Sequence, residues 1–218
     1  MAMALDRNHA STVALVAVAC FVAGGGARAD ENERGADLYR LCSICHGDNA
    51  AGNEAVGAPS IAGMPNWYLE AQLKQFRDGN RGTHIDDIMG MRMRPMALTL
   101  TGEGDVETVS AYIAAMPAAA PAPSLTGGDV ANGQLIYTTI CMACHGPDGA
   151  GNQQMMGAAP IHRSSDWYLF RQVENFRAGI RGSRPGDPGG ALMRPMVSKL
   201  TGEQDIVDVV AYITTLAN

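Results

Sequence analysis

Bulky core-forming side chains are scarce in this chain: aromatic residues make up only 6% of its 218 positions. Two cores of ordinary size would need more, and a large apolar prosthetic group could supply the missing volume. Apolar runs are also short. The longest, Val13 to Ala23, has eleven residues before Gly24-Gly25-Gly26 interrupts it, whereas a membrane-crossing helix needs about 20. With Arg7 ahead of it and Ala27-Arg28-Ala29 behind it, the run reads as a secretory signal peptide of residues 1–29, cut after Ala29. Cys20 is a poor lipidation site, since Phe21-Val22 follow it and Ala17 stands where a lipobox usually has Leu. Basic charge is in short supply too. From Asp30 onward there are 21 acidic and 14 basic side chains, for a net −7, of which residues 30–116 carry −6 (13 against 7) and the remainder −1 (8 against 7). That excludes nucleic acid as a natural partner and favours proteins with basic docking patches. The imbalance between the halves leads us to expect two unequal sites.

What is present is one unit written twice. Cys42-Ser43-Ile44-Cys45-His46-Gly47 recurs 99 residues later as Cys141-Met142-Ala143-Cys144-His145-Gly146, and Gly52-Asn53 recurs as Gly151-Asn152. After a one-residue insertion the offset becomes 100. Trp67-Tyr68-Leu69 then matches Trp167-Tyr168-Leu169, and Met93-Arg94-Pro95-Met96 matches Met193-Arg194-Pro195-Met196. Two tandem domains follow, 30–116 and 129–218, joined by a Pro/Ala-rich linker at 117–128 whose prolines make it a short, semi-rigid spacer.

The apolar spacing inside each repeat is helical. Leu69, Leu73 and Phe76, with Leu169, Val173 and Phe176, fall at i, i+4, i+7. Val106, Val109, Ile113 and Met116, with Ile206, Val209, Ile213 and Leu216, form a last helix that Thr101 and Thr201 are expected to cap. A shorter first helix should run from about Glu33 into Cys42, and from about Val130 into Cys141. Nothing alternates like a strand. The segment from Gly79 to Pro95 reads as a long Gly/Pro-rich loop, unusual unless it wraps a prosthetic group.

Cys-x-x-Cys-His is the spacing that attaches haem c. Two thiols one helical turn apart can add to the two vinyl groups of one haem, and the adjacent imidazole then meets the iron. A redox disulfide would sit in a βαβ pattern, which is missing, and a zinc site would not need a His after each pair. Cys42, Cys45 and His46, and Cys141, Cys144 and His145, are therefore expected to bind two covalent haems. The opposite axial ligand should be a soft thioether from the segment after the middle helix. Met89, Met91, Met93 and Met96 compete for it in the first domain, and Met193 and Met196 in the second. His84 and His162 occupy unmatched positions and read as surface or loop residues.

These residues resemble the class I cytochromes c, and the tandem arrangement resembles the di-haem cytochrome c4 family. The resemblance rests on the two CxxCH segments, on Tyr68 to Gly82 and Tyr168 to Gly182, and on Asp105 to Ile113 and Asp205 to Ile213. It implies an all-α fold of two tandem cytochrome c domains, each a few helices wrapped around one haem. Met93 and Met193, eight residues before the last helix's Thr, are implied as iron ligands beside His46 and His145. It also implies that the carbonyl of Pro59 orients the proximal imidazole. In the second domain Ala159 stands at that position with Pro160 after it, and Tyr137 is four residues ahead of its CxxCH where Tyr39 is three ahead, so the two tyrosines are not expected to do the same job. An iron with both axial positions filled leaves no room for substrate, so the chain is expected to be a periplasmic electron carrier and not an enzyme. Its implied partners are redox proteins: a quinol-oxidising complex, a cytochrome oxidase or a flavoprotein, with room for peripheral membrane association. The alternative is a di-haem subunit of a larger oxidoreductase such as a flavocytochrome sulfide dehydrogenase.

Overall fold

The computed structural model describes residues 25–118 and 120–217. The apolar run Val13 to Ala23 and Cys20 lie outside the described residues. In the first domain α1 (Gly25–His46), α2 (Asn66–Arg77), α3 (Ile88–Leu98) and α4 (Asp105–Ala114) follow one another. The second repeats them as α5 (Val130–Ile136) continuing through a π-helical turn (Tyr137–Cys141) into α6 (Met142–His145), then α7 (Asp166–Arg177), α8 (Pro188–Val197) and α9 (Glu203–Thr215). No strand forms among the described residues beyond two isolated bridges, Asn53 with Ala58 and Asn152 with Ala158.

The core of each domain is built on its last helix. Val106, Val109 and Ile113 of α4 are buried against Leu69, Leu73 and Phe76 of α2, so the two stripes read from the sequence meet. Ile206, Val209, Val210 and Ile213 of α9 do the same with Leu169 of α7. The first helix crosses the last at a glycine: a Cβ added at Gly35 would stand 2.6 Å from the Cβ of Tyr112, and one at Gly133 would strike the carbonyl of Asp208.

Three expectations are corrected. The first helix is longer than Glu33 to Cys42, running from Gly25 to His46 in one piece, so the residue pair Ala29-Asp30 falls within its helical span. The last helices are not capped by Thr101 and Thr201. Their N-caps are Gly104 and Gly202, and the acidic residues of the first turn reach backward: Asp105 accepts from the Gly102 N–H at 2.6 Å, and Asp205 accepts from the N–H and hydroxyl of Thr201 at 2.7 and 2.8 Å. Finally, the stretch read as a loop to Pro95 ends in a helix, with Met93, Pro95 and Met96 all inside α3 and their counterparts inside α8. A proline within a helix leaves the carbonyl four residues earlier without its N–H. Here those residues, Met91 and Ala191, are exposed, so water can take the carbonyl. Asp87 and Asp187 start the two helices by accepting from the N–H of Gly90 and Gly190 at 3.0 and 2.8 Å.

The linker is tied to the second domain. The N–H groups of Ser124 and Leu125 each donate to Asp166 at 2.7 Å, and the Ser124 hydroxyl adds a third bond at 3.2 Å.

Candidate haem sites

Each CxxCH segment ends its helix at the mouth of a cavity. His46 and His145 close α1 and α6, and the chain then leaves the helix through Gly47 and Gly146, both at positive φ. The next stretch folds back beneath the imidazole. Gly52 N–H donates to the His46 carbonyl and Gly151 N–H to that of His145, both at 2.9 Å. Only glycine fits there, since a Cβ at Gly52 would stand 2.5 Å from the Ser60 nitrogen and one at Gly151 would stand 2.5 Å from the Ala158 oxygen. The Asn53–Ala58 and Asn152–Ala158 bridges then present the next carbonyl to the ring: His46 Nδ1 lies 2.9 Å from the Pro59 oxygen, and His145 Nδ1 lies 2.8 Å from that of Ala159. A backbone acceptor makes the proline-to-alanine exchange harmless. With Nδ1–H donating to a carbonyl, Nε2 is the ring nitrogen left to serve as an acceptor or ligand. Burial holds both imidazoles below their usual protonation range, which keeps them neutral.

The tyrosines overturn the expectation drawn from their spacing. Tyr39 and Tyr137 donate to the carbonyls of Gly47 and Gly146, each at 2.6 Å, and each packs on the tyrosine of the last helix. The π-helical turn at Tyr137–Cys141 absorbs the extra residue, as a single-residue insertion in a helix does, and returns Tyr137 to the same place.

The cavities measure about 390 Å³ in the first domain and 290 Å³ in the second. Cys42, Cys45 and His46 line one, with Met93 and Met96 of α3 on its wall; Cys141, Cys144 and His145 line the other, with Met193 and Met196 of α8. Met89 also lines the first, while Met91 is exposed. His84 and His162 line neither: His84 lies on the surface beside Asp86, and His162 Nδ1 faces the Gly149 carbonyl at 3.1 Å. Burial pushes the Cys42 thiol up to about 11 and the Cys141 thiol up to about 12. Neutral thiols of that kind are poor zinc ligands and sluggish redox nucleophiles, and among the described residues no three His, Cys, Asp or Glu side chains gather as a metal site. An apolar slot with two thiols and one open imidazole nitrogen fits a flat macrocycle that carries its own iron.

The wall between the cavities was not singled out as functional from the sequence. Tyr68, Gln72, Tyr168 and Gln172 line both cavities, and Arg81 and Arg181 line one each. Arg81 donates to Gln72 Oε1 at 2.6 Å and across the domain boundary to the Tyr168 hydroxyl at 3.3 Å; Arg181 donates to Gln172 Oε1 at 2.7 Å. The signal was in the repeat, where the FRxGxRG pattern at Phe76 to Gly82 returns at Phe176 to Gly182.

Comparison with known proteins agrees with this geometry. The cytochrome c family model matches residues 32–117 and again 130–217. The thiosulfate dehydrogenase electron acceptor of Thiomonas intermedia is 32% identical over 171 residues, covering 75% of this chain and 73% of that protein. Among solved structures, reduced recombinant cytochrome c4 from Pseudomonas stutzeri superposes with a TM-score of 0.63 at 25% identity, covering 84% of this chain and 96% of that one. The thiosulfate dehydrogenase of Marichromatium purpuratum gives 0.67 at 29% identity over 84% of this chain, which spans only 40% of that longer protein.

Replacing Tyr39 or Tyr137 with Phe removes equivalent hydrogen bonds, so each should cost its domain a similar roughly 0.5–1.5 kcal/mol. Chemical unfolding of the holoprotein, followed by haem absorbance, checks this. A penalty at Tyr39 with none at Tyr137 would show that the π-helical turn does not restore the contact.

Proposed function

The chain belongs to the cytochrome c family, and from that premise we propose that it is exported to the periplasm after removal of residues 1–29 and passes electrons from a respiratory donor to a terminal oxidase or similar acceptor. It is a di-haem electron carrier, and the reading of its route rests on one observation. Two complete cavities, each with its own CxxCH and its own pair of methionines, share a wall inside one chain.

We assign His46 and Met93 as the side chains that would hold the iron in domain 30–116, and His145 and Met193 as those that would hold it in domain 129–218. Cys42 with Cys45, and Cys141 with Cys144, would form the thioether bonds that keep the cofactor attached outside the cell. When bound, haem with a His/Met pair cycles between ferric and ferrous iron, and the neutral thioether favours the ferrous state. The chain's own contribution is placement. The carbonyls of Pro59 and Ala159 orient the imidazoles, and α3 and α8 bring the methionines to the walls of the same cavities. No helix among the described residues is long and apolar enough to cross a membrane, which suits a carrier that meets membrane complexes from outside.

The donor deserves a specific candidate. Similarity to a thiosulfate dehydrogenase electron acceptor favours a sulfur-compound dehydrogenase at the electron-entry side. The net charge of −6 over residues 30–116 suits docking through that domain to a basic partner surface. Mixed anaerobically with a purified thiosulfate dehydrogenase and thiosulfate, the ferric protein should reduce within seconds, and more slowly as salt is raised. Reduction by a quinol-oxidising complex but not by the dehydrogenase would move the entry point to the respiratory chain proper.

The ligand assignment is tested separately. Met93→Ala or Met193→Ala should erase that haem's weak far-red sulfur-to-ferric-iron absorption, and Met96→Ala or Met196→Ala should leave it. The reverse outcome moves the ligand one helical turn along α3 or α8.

A further inference from the structure

The helix that carries the second methionine pair is the weaker of the two at its start. α3 opens Ile88-Met89-Gly90-Met91-Arg92, whereas α8 opens Pro188-Gly189-Gly190-Ala191-Leu192. Glycine disfavours a helix interior, and a helix of only ten residues persists in water through what anchors it. α3 has anchors within its own domain. Arg92 Nη1 donates to the Val56 carbonyl at 3.4 Å, and the Met89 thioether packs so closely on Gly57 that no Cβ fits there. At the matching positions α8 has Leu192 and Gly189, whose side chains can make neither contact.

The anchor of α8 comes instead from the first domain. The turn Arg184-Pro185-Gly186-Asp187 leads into the helix, closed by the Asp187 N–H on the Arg184 carbonyl at 3.0 Å, and Asp187 then accepts from the Gly190 N–H at 2.8 Å. Within that turn the Gly186 carbonyl accepts from the side-chain amides of Gln75 and Asn80, at 3.1 and 3.2 Å, and Arg184 donates to the Thr83 hydroxyl at 3.2 Å. Asn80 is itself held, since its N–H donates to the Gln75 carbonyl at 3.0 Å. The fit is close: Gly186 does not adopt a positive φ, yet a Cβ there would stand 2.5 Å from the Asn80 amide. Met193 follows Asp187 by six residues, about 9 Å along the helix. We propose that Gln75 and Asn80 of the first domain are positioning residues for the second haem site, clamping the turn that starts α8 and so keeping Met193 on the wall of that cavity.

The dependence runs one way. In the first domain the matching turn, His84 to Asp87, has the same closing bond at 3.0 Å, but Asp86 stands in place of Gly186 and Ile180 in place of Asn80. The Asp86 N–H donates to His84 Nδ1 at 3.2 Å, and among the described residues no hydrogen bond reaches the turn 84–87 from the second domain. The first site is thus held by its own domain, while the second is held by its neighbour. Thr83, Arg184 and Gly186 are exposed to water, so the clamp can open without unfolding either core. A change in how the domains dock therefore acts on the second methionine and not on the first.

The inference rests on both haems being attached and on Met93 and Met193 as their thioether ligands. The test uses the full-length holoprotein, once with Met93→Ala, so that the remaining far-red band reports the second haem, and once with Met193→Ala, so that it reports the first. Imidazole is added to the ferric protein, and displacement of the thioether is timed by the loss of that band. Asn80→Ala and Gly186→Ala should each speed displacement at the second haem about twofold to tenfold, the range that one lost hydrogen bond supports, and leave the first haem unchanged. Ser165→Ala removes the Ser60 bond across the same boundary and touches neither turn, so both rates should stay as they are. Equal acceleration at both haems, no acceleration, or a matching effect from Ser165→Ala would overturn the proposal. Hydrogen exchange over residues 186–192 and 86–92 gives an answer free of the ligand assignment: Asn80→Ala should raise it in the first of these segments only, and unchanged exchange there would overturn the clamp. A far-red band left at full strength by Met93→Ala, or a wild-type haem count below two, would instead overturn the reading beneath it.

Discussion

Both sites depend on one contact, the hydrogen bond from imidazole Nδ1 to a backbone carbonyl beneath it. It decides which ring nitrogen is left for iron, and it fixes the ring plane relative to the two thiols that precede it on the helix. Most of the surrounding loop exists to deliver that carbonyl. The glycine turn at 47 or 146, the return bond to the histidine carbonyl, the close approach at Gly52 or Gly151 and the short bridge ending at Ala58 or Ala158 are successive steps toward it. Because the acceptor is main chain, Pro59 can become Ala159 in the second domain without loss. The tyrosine contact to the following glycine pins the same turn from the other side.

Duplication explains the second layer of the architecture. Each domain has its own core, with its last helix at the centre. The shared wall is different. Polar side chains from both α2 and α7 border both cavities, and the bonds across the boundary are not mirrored. Ser60 N–H donates to the Ser165 hydroxyl at 3.2 Å, and Gln75 and Asn80 reach the Gly186 carbonyl at 3.1 and 3.2 Å. The residue after Ala159 is proline, which has no N–H to make the reciprocal of the Ser60 bond. A repeat that began symmetric has thus become two sites with unequal neighbours, in keeping with the unequal charge of its halves.

The sequence spoke most clearly where chemistry demands fixed residue types at fixed spacing. CxxCH allows little else, and its return in register with a matched methionine segment marks two domains. The packed stripes of α2, α4, α7 and α9 were legible because burial on one side imposes helical period. What misled was local chemistry that tertiary context overrides. Pro95 and a run of glycines argue for a loop, yet the proline falls on a solvent-facing turn where its missing bond costs little. Thr101 and Thr201 have the composition of caps, but the helices begin after Gly104 and Gly202, and the aspartates of the first turn bond back to the N–H groups of Gly102 and Thr201 instead. The spacing of Tyr137 was read with ideal helical geometry, and a π-helical turn cancelled the difference. Arg81 and Arg181 stand out in the sequence only as part of a repeated pattern, because the burial of a charge at the domain boundary is a property of the fold.

We propose that one chain holds two haem sites, each closed by a histidine and a methionine side chain. The most direct test is a quantitative visible spectrum of the purified holoprotein with and without carbon monoxide. The expected result is two covalently bound, low-spin haems per chain whose ferrous spectrum is unchanged by the gas. One haem per chain, or a carbon monoxide adduct at either site, would contradict it.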